Sequence, residues 1–248
     1  MSTDGVQAPA QPARAQPPQT QLPQTQLPQT EPPQTQLPQT EARPLRADAR
    51  RNRELLLTAA RAVFAARGLD APLDEIARRA GVSIGTLYNR FPTRVDLVDA
   101  ALAEQVLTSV RLAERATADP DPWRGLATHL TAIAELQAVD RGFTDICVYT
   151  LPADSVTERA KRRGNELTVA LVERAQRAGV LRTDVDLTDI GLLLWAAVRA
   201  TEGVRTLAPD AWRRHLALVL DGLRTDAAHP LPGRPLNPET MRQAMCFD

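Results

Sequence analysis

Residues 72–94 read PLDEIARRAGVSIGTLYNRFPTR, and this stretch decides the fold. Its first part repeats apolar residues at the three- and four-residue intervals that give a helix one buried face: Leu73, Ile76, Ala77 and Ala80. Gly81 then supplies a left-handed cap, and Ser83 is a natural N-cap for a second helix. That helix should end at Phe91, because Pro92 disfavours the helical region for its predecessor. Two helices of about eight residues with a tight turn between them are typical of a helix-turn-helix.

The second helix of this pair carries an unusual set of residues on its outer side. Leu87 and Phe91, four residues apart, would pack against the first helix, which leaves four residues facing away: Gly85, Thr86, Asn89 and Arg90. Glycine within a helix costs up to about 1 kcal/mol relative to alanine, so Gly85 needs a reason. A missing side chain lets the backbone approach DNA closely, and small neutral donors reach base edges without bringing an acid near phosphate. The pattern therefore indicates a surface for a DNA groove.

The same residues resemble the TetR family of bacterial transcription regulators. The family pattern GVS-x-GTLY, two variable residues and FP-T-K/R is matched by GVSIGTLYNRFPTR at 81–94. The resemblance is strong over about 46–110, and beyond that range only the architecture is similar. An actinobacterial subgroup of the family is also resembled by two later stretches, LVERAQRAGVLRTDVDLTDI at 171–190 and PDAWRRHLALVLDGLR at 209–224. The resemblance implies a regulator, more often a repressor, that binds a palindromic operator in double-stranded DNA as a homodimer and is released by a small-molecule effector.

The resemblance also implies which side chains contact DNA. Base edges would be contacted by Ile84, Gly85, Thr86 and Asn89. Phosphates would be contacted by Ser83, Tyr88, Arg90, Arg94, Arg50 and Arg51. Ala71 and Pro72 stand where many family members carry Thr or Ser, so that phosphate contact is not expected here.

Several of these residues have a second interpretation. Ile84 could contact a thymine methyl or cover the core, and Tyr88 could lie in the core with its hydroxyl at the rim. Arg50, Arg51 and Arg53, like Asn89 and Arg90, could form an ordinary solvated helix face.

Helical periodicity continues through the rest of the chain, which predicts an all-α fold of about nine helices. A three-helix DNA-binding domain at 47–93 would include a first helix over 50–67, with Leu55 and Leu56 on its buried face. Thr93 and Asp96 have the spacing of a capping box for a long fourth helix, which would lead into a ligand-binding and dimerisation domain at 94–228. Further helical stretches are expected at 122–138, 143–150, 153–178, 188–207 and 209–228.

The two ends of the chain differ in composition from the rest. Residues 16–40 are five consecutive pentads, QPPQT, QLPQT, QLPQT, EPPQT and QLPQT, whose prolines prevent helix formation. Residues 1–46 are therefore expected to be a disordered tail, either a solvated spacer or an extended Pro-rich docking segment. Residues 229–248, which include HPLPGRPLNP, are expected to form a C-terminal tail.

Charge and composition indicate which kinds of protein this sequence can be. The 30 basic and 30 acidic residues balance overall, but residues 41–94 contain eleven Arg against six acids, so positive charge gathers around the helix-turn-helix. Cys147 and Cys246 are too few and too distant for a disulfide framework or metal cluster, and Cys147 is expected in the core. No apolar run is long enough for a bilayer and no secretory signal is present, which favours a cytoplasmic protein without a membrane partner.

Catalytic constellations are not evident in the sequence. It has no phosphate-binding glycine loop and no Ser or Cys nucleophile with a recognisable base, so neither an enzymatic activity nor a cofactor is expected. The three histidines are isolated and show no metal spacing, which predicts surface or hydrogen-bonded side chains: His129, His215 and His229. A nonspecific DNA-binding protein, or a ligand-binding helical protein without a discrete operator, remains the alternative function.

The second domain should pair subunits and enclose a ligand. Dimers recognise half-sites about one DNA turn apart, and the last two helices carry more apolar surface than one stripe requires. The resemblance makes these helices a bundle between subunits, with intramolecular core as the alternative: Leu193, Leu194, Val198, Trp212, Leu216, Val219, Leu220 and Leu223. The middle helices would enclose a pocket for an unidentified effector, with these candidate lining residues: Leu102, Val106, Trp123, Leu126, Leu130, Ile133, Phe143, Ile146, Tyr149, Leu167 and Leu171.

Overall fold

The structure is a computed structural model that describes residues 42–226 and 228–245. Within these ranges the chain forms ten α-helices and a short 3₁₀ helix at Glu202–Val204, which confirms the predicted all-α fold. The helices are α1 (Ala42–Arg67), α2 (Leu73–Ala80), α3 (Ile84–Arg90), α4 (Arg94–Thr117), α5 (Pro122–Val139), α6 (Arg141–Val148), α7 (Val156–Arg177), α8 (Leu187–Arg199), α9 (Ala211–Leu223) and α10 (Pro238–Met245). None of the helices in the described ranges has the length and apolarity that a bilayer span requires.

Each of the two predicted tails includes residues that are helical in the structure. Helix α1 begins at Ala42, so residues 42–46 are helical; Pro44 lies in the first turn, where a missing backbone N–H breaks no helical hydrogen bond. The rest of the expected N-terminal tail lies outside the described residues. At the other end, α10 occupies 238–245 within the expected C-terminal tail. Asn237 accepts a hydrogen bond from the backbone N–H of Thr240 at 2.8 Å and so caps this helix.

The ends of two other helices also differ from the prediction. Helix α8 stops at Arg199 rather than near 207, and the Thr201 hydroxyl donates to the carbonyl of Val198 at 3.0 Å where the helix ends. Helix α9 ends at Leu223 instead of 228, and the chain there forms an antiparallel bridge between Leu181 and Arg224. On α1, Leu55 is 40% exposed while Leu57 is buried, so the buried face is rotated by part of a turn from the predicted one.

Two hydrophobic clusters form the core. The first joins α1, α2, α3 and α6 to most of α4, and the second joins α5, α8 and α9. Helices α4 and α7 contribute to both clusters: Val106 and Leu167 belong to the first, whereas Ala116 and Leu171 belong to the second. Since α4 begins directly after the helix-turn-helix and both α4 and α7 contribute to both clusters, these two helices join the helix-turn-helix to the C-terminal helices.

Candidate DNA-binding surface and ligand cavity

The turn between α2 and α3 is fixed by local hydrogen bonds. Gly81 adopts a left-handed φ of 70°, and the backbone N–H of Val82 bonds to the Ala77 carbonyl at 3.1 Å. The Ser83 hydroxyl accepts a hydrogen bond from the Thr86 N–H at 3.1 Å, as an N-cap does. Leu87 is fully buried in the first cluster. The predicted helix-turn-helix geometry is therefore present, and it fixes the side of α3 that faces outward.

The outer side of α3 presents the residues that the sequence assigned to base contacts. Gly85 and Asn89 are exposed and Thr86 is half-buried. Ile84 is 38% exposed and Tyr88 is 49% exposed, so neither side chain belongs to the core. This exposure removes the alternative in which Ile84 covers the core and the alternative in which Tyr88 is a core residue.

Gly85 is not required by packing inside the subunit. A Cβ at this position would meet nothing closer than the Ser83 hydroxyl, at 3.8 Å, which is an ordinary van der Waals contact. Its backbone conformation does not demand glycine either, because only positive φ values strain other residues and Gly85 is not among the positive-φ glycines. Neither packing nor backbone conformation inside the subunit therefore requires a glycine at this position.

Two of the predicted phosphate contacts already have partners within the chain. Arg94 is half-buried, and its Nη1 donates to the carbonyl oxygens of Leu69 at 2.6 Å and Ala71 at 2.8 Å. Ser83 serves as the cap of α3. Arg94 therefore stabilises the turn between α1 and α2, which the sequence pattern did not indicate, because its carbonyl partners lie more than twenty residues away.

The remaining basic candidates are exposed. Arg50 and Arg51 lie on the outer side of α1, and Arg90 lies at the end of α3. The guanidinium of Arg53 lies 5.3 Å from the centre of the Phe91 ring, where it makes a cation–π contact rather than a purely solvated one. Ala71 is buried, and Pro72 makes no side-chain cap hydrogen bond at the start of α2.

A cavity of about 730 Å³ lies among α4 to α8 and α10. Five of the apolar candidates line it: Val106, Leu130, Ile133, Phe143 and Ile146. Four other candidates do not line the cavity and are buried in the two hydrophobic clusters: Leu102, Leu126, Leu167 and Leu171. The Trp123 ring lies beneath the Arg224 guanidinium, 4.9 Å from its centre, and Tyr149 packs against the first cluster.

Helix α10 contributes to the same cavity. Met241 lines it and approaches α8 so closely that a Cβ on Gly191 would lie 3.1 Å from the Met241 methyl carbon. The segment that composition assigned to a tail is therefore part of the cavity wall.

The polar lining of the cavity was missed by sequence reasoning. His129 is only 3% exposed and its Nε2 lies 2.9 Å from the Thr168 hydroxyl, so of the two predicted alternatives it is hydrogen-bonded and does not lie on the surface. Its Nδ1 has no partner among the described residues. Cys147 is exposed where it lines the cavity rather than packed in the core. Surrounding protein nevertheless raises the pKa of its thiol to about 11. His129, Ile133 and Gln137 recur every four residues on α5 and therefore share one face of the helix. This spacing could have indicated from the sequence that polar residues line the cavity.

Most of the predicted dimer interface is internal core. Five of these residues are buried against the second cluster of their own subunit and cannot form a surface between subunits: Leu194, Val198, Trp212, Leu216 and Leu223. Leu193, Val219 and Leu220 are half-buried. Apolar periodicity cannot separate the two cases, because burial within and between subunits requires the same residue types.

Helix α6 connects the cavity to the DNA-binding part of the chain. Phe143 and Ile146 line the cavity, while Asp145 Oδ2 on the same helix accepts a hydrogen bond from the backbone N–H of Leu69 at 2.9 Å. Gly68, with a φ of 84°, precedes that N–H. Burial raises the pKa of the Asp145 carboxyl, although the Leu69 hydrogen bond acts in the opposite direction. A displacement of α6 would therefore act directly on the turn between α1 and α2.

The buried imidazole of His129 should make stability depend on pH. Burial lowers its pKa from the ordinary value of 6.5 to about 4. Between these values the unfolded chain binds a proton that the folded protein does not, so the free energy of unfolding should fall as pH decreases below 6.5. We expect about 2 kcal/mol of this loss between pH 7 and pH 5 to disappear in His129→Phe. Urea denaturation of both proteins at several pH values measures it; parallel pH profiles would contradict the assignment.

Two family models match this chain. Residues 56–101 match the family model described as bacterial regulatory proteins, tetR family, and residues 121–225 match the model described as transcriptional regulator SbtR-like, C-terminal domain. A solved TetR transcription regulatory protein from Mycobacterium vanbaalenii is 36% identical, with 73% of this chain and 100% of that chain covered and a TM-score of 0.43.

Curated relatives include named regulators. The HTH-type transcriptional repressor BepR of Brucella suis is 29% identical over 169 residues, which cover 63% of this chain and 81% of BepR. A Pseudomonas putida relative described as the uncharacterized HTH-type transcriptional regulator TtgW is 42% identical over 65 residues, 26% of this chain, and the match spans only 48% of the length of TtgW. Since family models of these regulators match residues 56–101 and 121–225, the chain belongs to the TetR family of bacterial helix-turn-helix transcription regulators.

Proposed function

We propose that this protein is a ligand-responsive repressor that binds a palindromic operator as a homodimer and releases it when a small molecule occupies the cavity. The observation that carries this proposal is the position of α6, which lines the cavity and also holds the turn between α1 and α2 through Asp145 and Leu69. A ligand that moves Phe143 or Ile146 would shift this hydrogen bond, and with it the placement of α2 and α3.

The DNA contacts follow from exposure on α3 and α1. Ile84, Gly85, Thr86 and Asn89 would face base edges, with Ile84 placed to contact a thymine methyl. Tyr88, Arg90, Arg50 and Arg51 would contact phosphates. We assign Ser83 and Arg94 mainly to holding the domain together, because the Ser83 hydroxyl and Arg94 Nη1 are already hydrogen-bonded.

The dimer surface would use the parts of α8 and α9 that the subunit leaves uncovered. Leu218 is 60% exposed on α9, next to the half-buried Val219, and Leu193 on α8 is also half-buried. Pairing these helices between two subunits would bury apolar side chains and place two copies of α3 for half-sites about 34–36 Å apart.

Footprinting of the DNA upstream of the protein's own gene tests the proposal. We expect one discrete protected site with two-fold symmetry, because two copies of α3 in a symmetric dimer recognise repeated half-sites. Uniform protection at similar concentrations across random sequence would instead identify a nonspecific DNA-binding protein.

Gly85→Ala separates DNA contact from folding. The added methyl has room in the free subunit and favours the helix, so the free energy of unfolding should stay equal or rise by up to about 1 kcal/mol. Operator affinity should nevertheless fall about tenfold or more, because the methyl would meet the DNA surface. Gly164→Ala on α7 is the matched control: its Cβ would make an ordinary 3.7 Å contact with Val110, and operator affinity should not change. Unchanged operator binding by Gly85→Ala would exclude a close approach of this backbone to DNA.

A further inference from the structure

The cavity reaches the surface of the protein beside α7 and α8. Three residues of α7 line the cavity and are also exposed: Asn165, Val169 and Glu173. They recur every four residues, so they form one stripe along the helix, and the cavity opens to the outside along this stripe. From α8, Gly191 and Trp195 line the cavity with the same spacing. We call the opening beside these two helices the mouth of the cavity.

Helix α10 packs against α8 at this mouth. Its Met241 is half-buried, lines the cavity and lies over Gly191, where a Cβ would be 3.1 Å from the methyl carbon and 4.0 Å from the sulfur. Gly191 is not among the positive-φ glycines, so its backbone conformation does not require glycine. The missing side chain of Gly191 instead leaves a notch that the flexible thioether of Met241 fills.

The chain that leads to α10 is anchored before it reaches the mouth. Arg182 and Asp184 form a bidentate pair, with Nε donating to Oδ1 at 2.6 Å and Nη2 to Oδ2 at 2.9 Å. Arg182 Nη2 also donates to the carbonyl of His229 at 2.5 Å, and the backbone N–H of Leu231 donates to Asp184 Oδ2 at 3.0 Å. Because charge-assisted hydrogen bonds are strong, this pair fixes residues 229–231 to the body of the protein.

The segment between this anchor and α10 can serve as a hinge. All of its residues, 232–237, are exposed, and Gly233 adopts a left-handed φ of 81°. Helix α10 has eight residues, and helices of this length are not stable in water by themselves. The helical form of α10 therefore depends on its packing against α8, and the contact between Met241 and Gly191 contributes to that packing.

We propose that α10 is a lid on the mouth of the cavity. The lid turns about residues 232–237 while residues 229–231 stay anchored, and Met241 in the notch at Gly191 holds it closed. Bulky molecules then enter the cavity after this contact breaks. The inference rests on the proposed function in one respect, because it takes the cavity as the effector site, and it adds the route by which an effector enters.

The labelling rate of Cys147 measures access to the cavity, because this thiol lines the cavity and is exposed there. N-ethylmaleimide is a small reagent and N-(1-pyrenyl)maleimide a bulky one, and peptide mass spectrometry separates labelling at Cys147 from labelling at Cys246. Deletion of residues 238–248 removes the lid and keeps the anchor. We expect the deletion to accelerate labelling of Cys147 by the bulky reagent about tenfold or more, and by the small reagent much less.

Point variants test the role of Met241 in the full chain. Met241→Ala should also accelerate labelling by the bulky reagent about tenfold, because less apolar surface holds the lid closed. Met241→Leu keeps a similar apolar volume and should label at nearly the original rate. Gln243→Ala is the matched control, because Gln243 is exposed on the same helix and does not line the cavity.

The pair of reagents also detects loss of folding. None of the described residues of α10 belongs to the two hydrophobic clusters, so the thermal unfolding midpoint of each variant should stay close to that of the original chain. A variant that unfolds would expose Cys147 to both reagents alike. Selective acceleration with the bulky reagent is therefore the signature of an opened lid.

The outcomes separate the lid from the regulatory role of the cavity. Equal rates with the bulky reagent for the original and the shortened chain, or equal acceleration by Met241→Ala and Gln243→Ala, would overturn the lid. Selective acceleration by the deletion and by Met241→Ala supports it. If the pyrenyl group attached to Cys147 then leaves operator affinity unchanged in a gel-shift assay, the lid stands and the proposed release of DNA is wrong.

Discussion

Gly68→Ala should lower the free energy of unfolding by about 2–4 kcal/mol. Gly68 has a left-handed φ of 84°, which alanine adopts at a cost. The new Cβ would also lie 2.4 Å from Asp145 Oδ2 and force that carboxylate away from the Leu69 N–H. Leu69 is buried, so its N–H would lose its partner without gaining water.

Gly179→Ala provides the control for the backbone part of this effect. Gly179 has a similar φ of 69°, is exposed, and has no atom within 4 Å of a Cβ, so only the left-handed backbone should cost free energy, about 1 kcal/mol. Urea denaturation followed by circular dichroism compares the two variants. If both lose the same free energy, the Asp145–Leu69 hydrogen bond does not stabilise the turn and the proposed route from α6 to the DNA-binding domain loses its support.

Asn89→Asp should reduce operator affinity by about a hundredfold while leaving stability unchanged. The two side chains have nearly the same shape, and position 89 is exposed on α3, so folding has no reason to respond. On DNA, the change removes an amide donor for a base edge and introduces a negative charge among phosphates, two effects of about 1–3 kcal/mol each.

Asn165→Asp carries the same change in charge at a different place. Asn165 is exposed on α7, next to Gly164. A Cβ on Gly164 would contact Val110, which lies in the later half of α4 and far along the chain from the helix-turn-helix. Gel-shift titrations of both variants on operator and random DNA at two salt concentrations separate local from general effects. Equal losses for the two variants, or equal losses on operator and random DNA for Asn89→Asp, would argue against a base contact at Asn89.

The helix-turn-helix was predictable from the sequence because its determinants are local. Gly81 takes the left-handed conformation, Ser83 caps α3, and Thr93 forms the capping box with Asp96, all as the spacing predicted. Each of these features depends on hydrogen bonds within four residues, which residue type and order specify directly. The same local logic places Gly85 and Asn89 on the outer side of α3.

The cavity was only partly predictable. Some apolar residues of the middle helices line the cavity as predicted, but Leu126 and Leu171, which belong to the same hydrophobic cluster as Leu130, do not. Periodicity identifies which face of a helix is buried, and it does not specify whether that face meets another helix or an empty volume. The polar residues of the cavity lining were more difficult to predict from the sequence. His129 on α5 looks isolated along the chain, and its partner Thr168 lies on α7, 39 residues away.

The sequence by itself determined the all-α fold, the position of the helix-turn-helix and the face of α3 that turns outward, since these depend on caps, turns and residue spacing. Three contacts could be identified only from the tertiary structure. Arg94 binds the carbonyls of Leu69 and Ala71, Trp212 lies in the core of its own subunit, and Asp145 ties α6 to the turn after α1. These depend on residues that are distant in sequence and adjacent in space, and a one-dimensional pattern contains no information on which helix faces which.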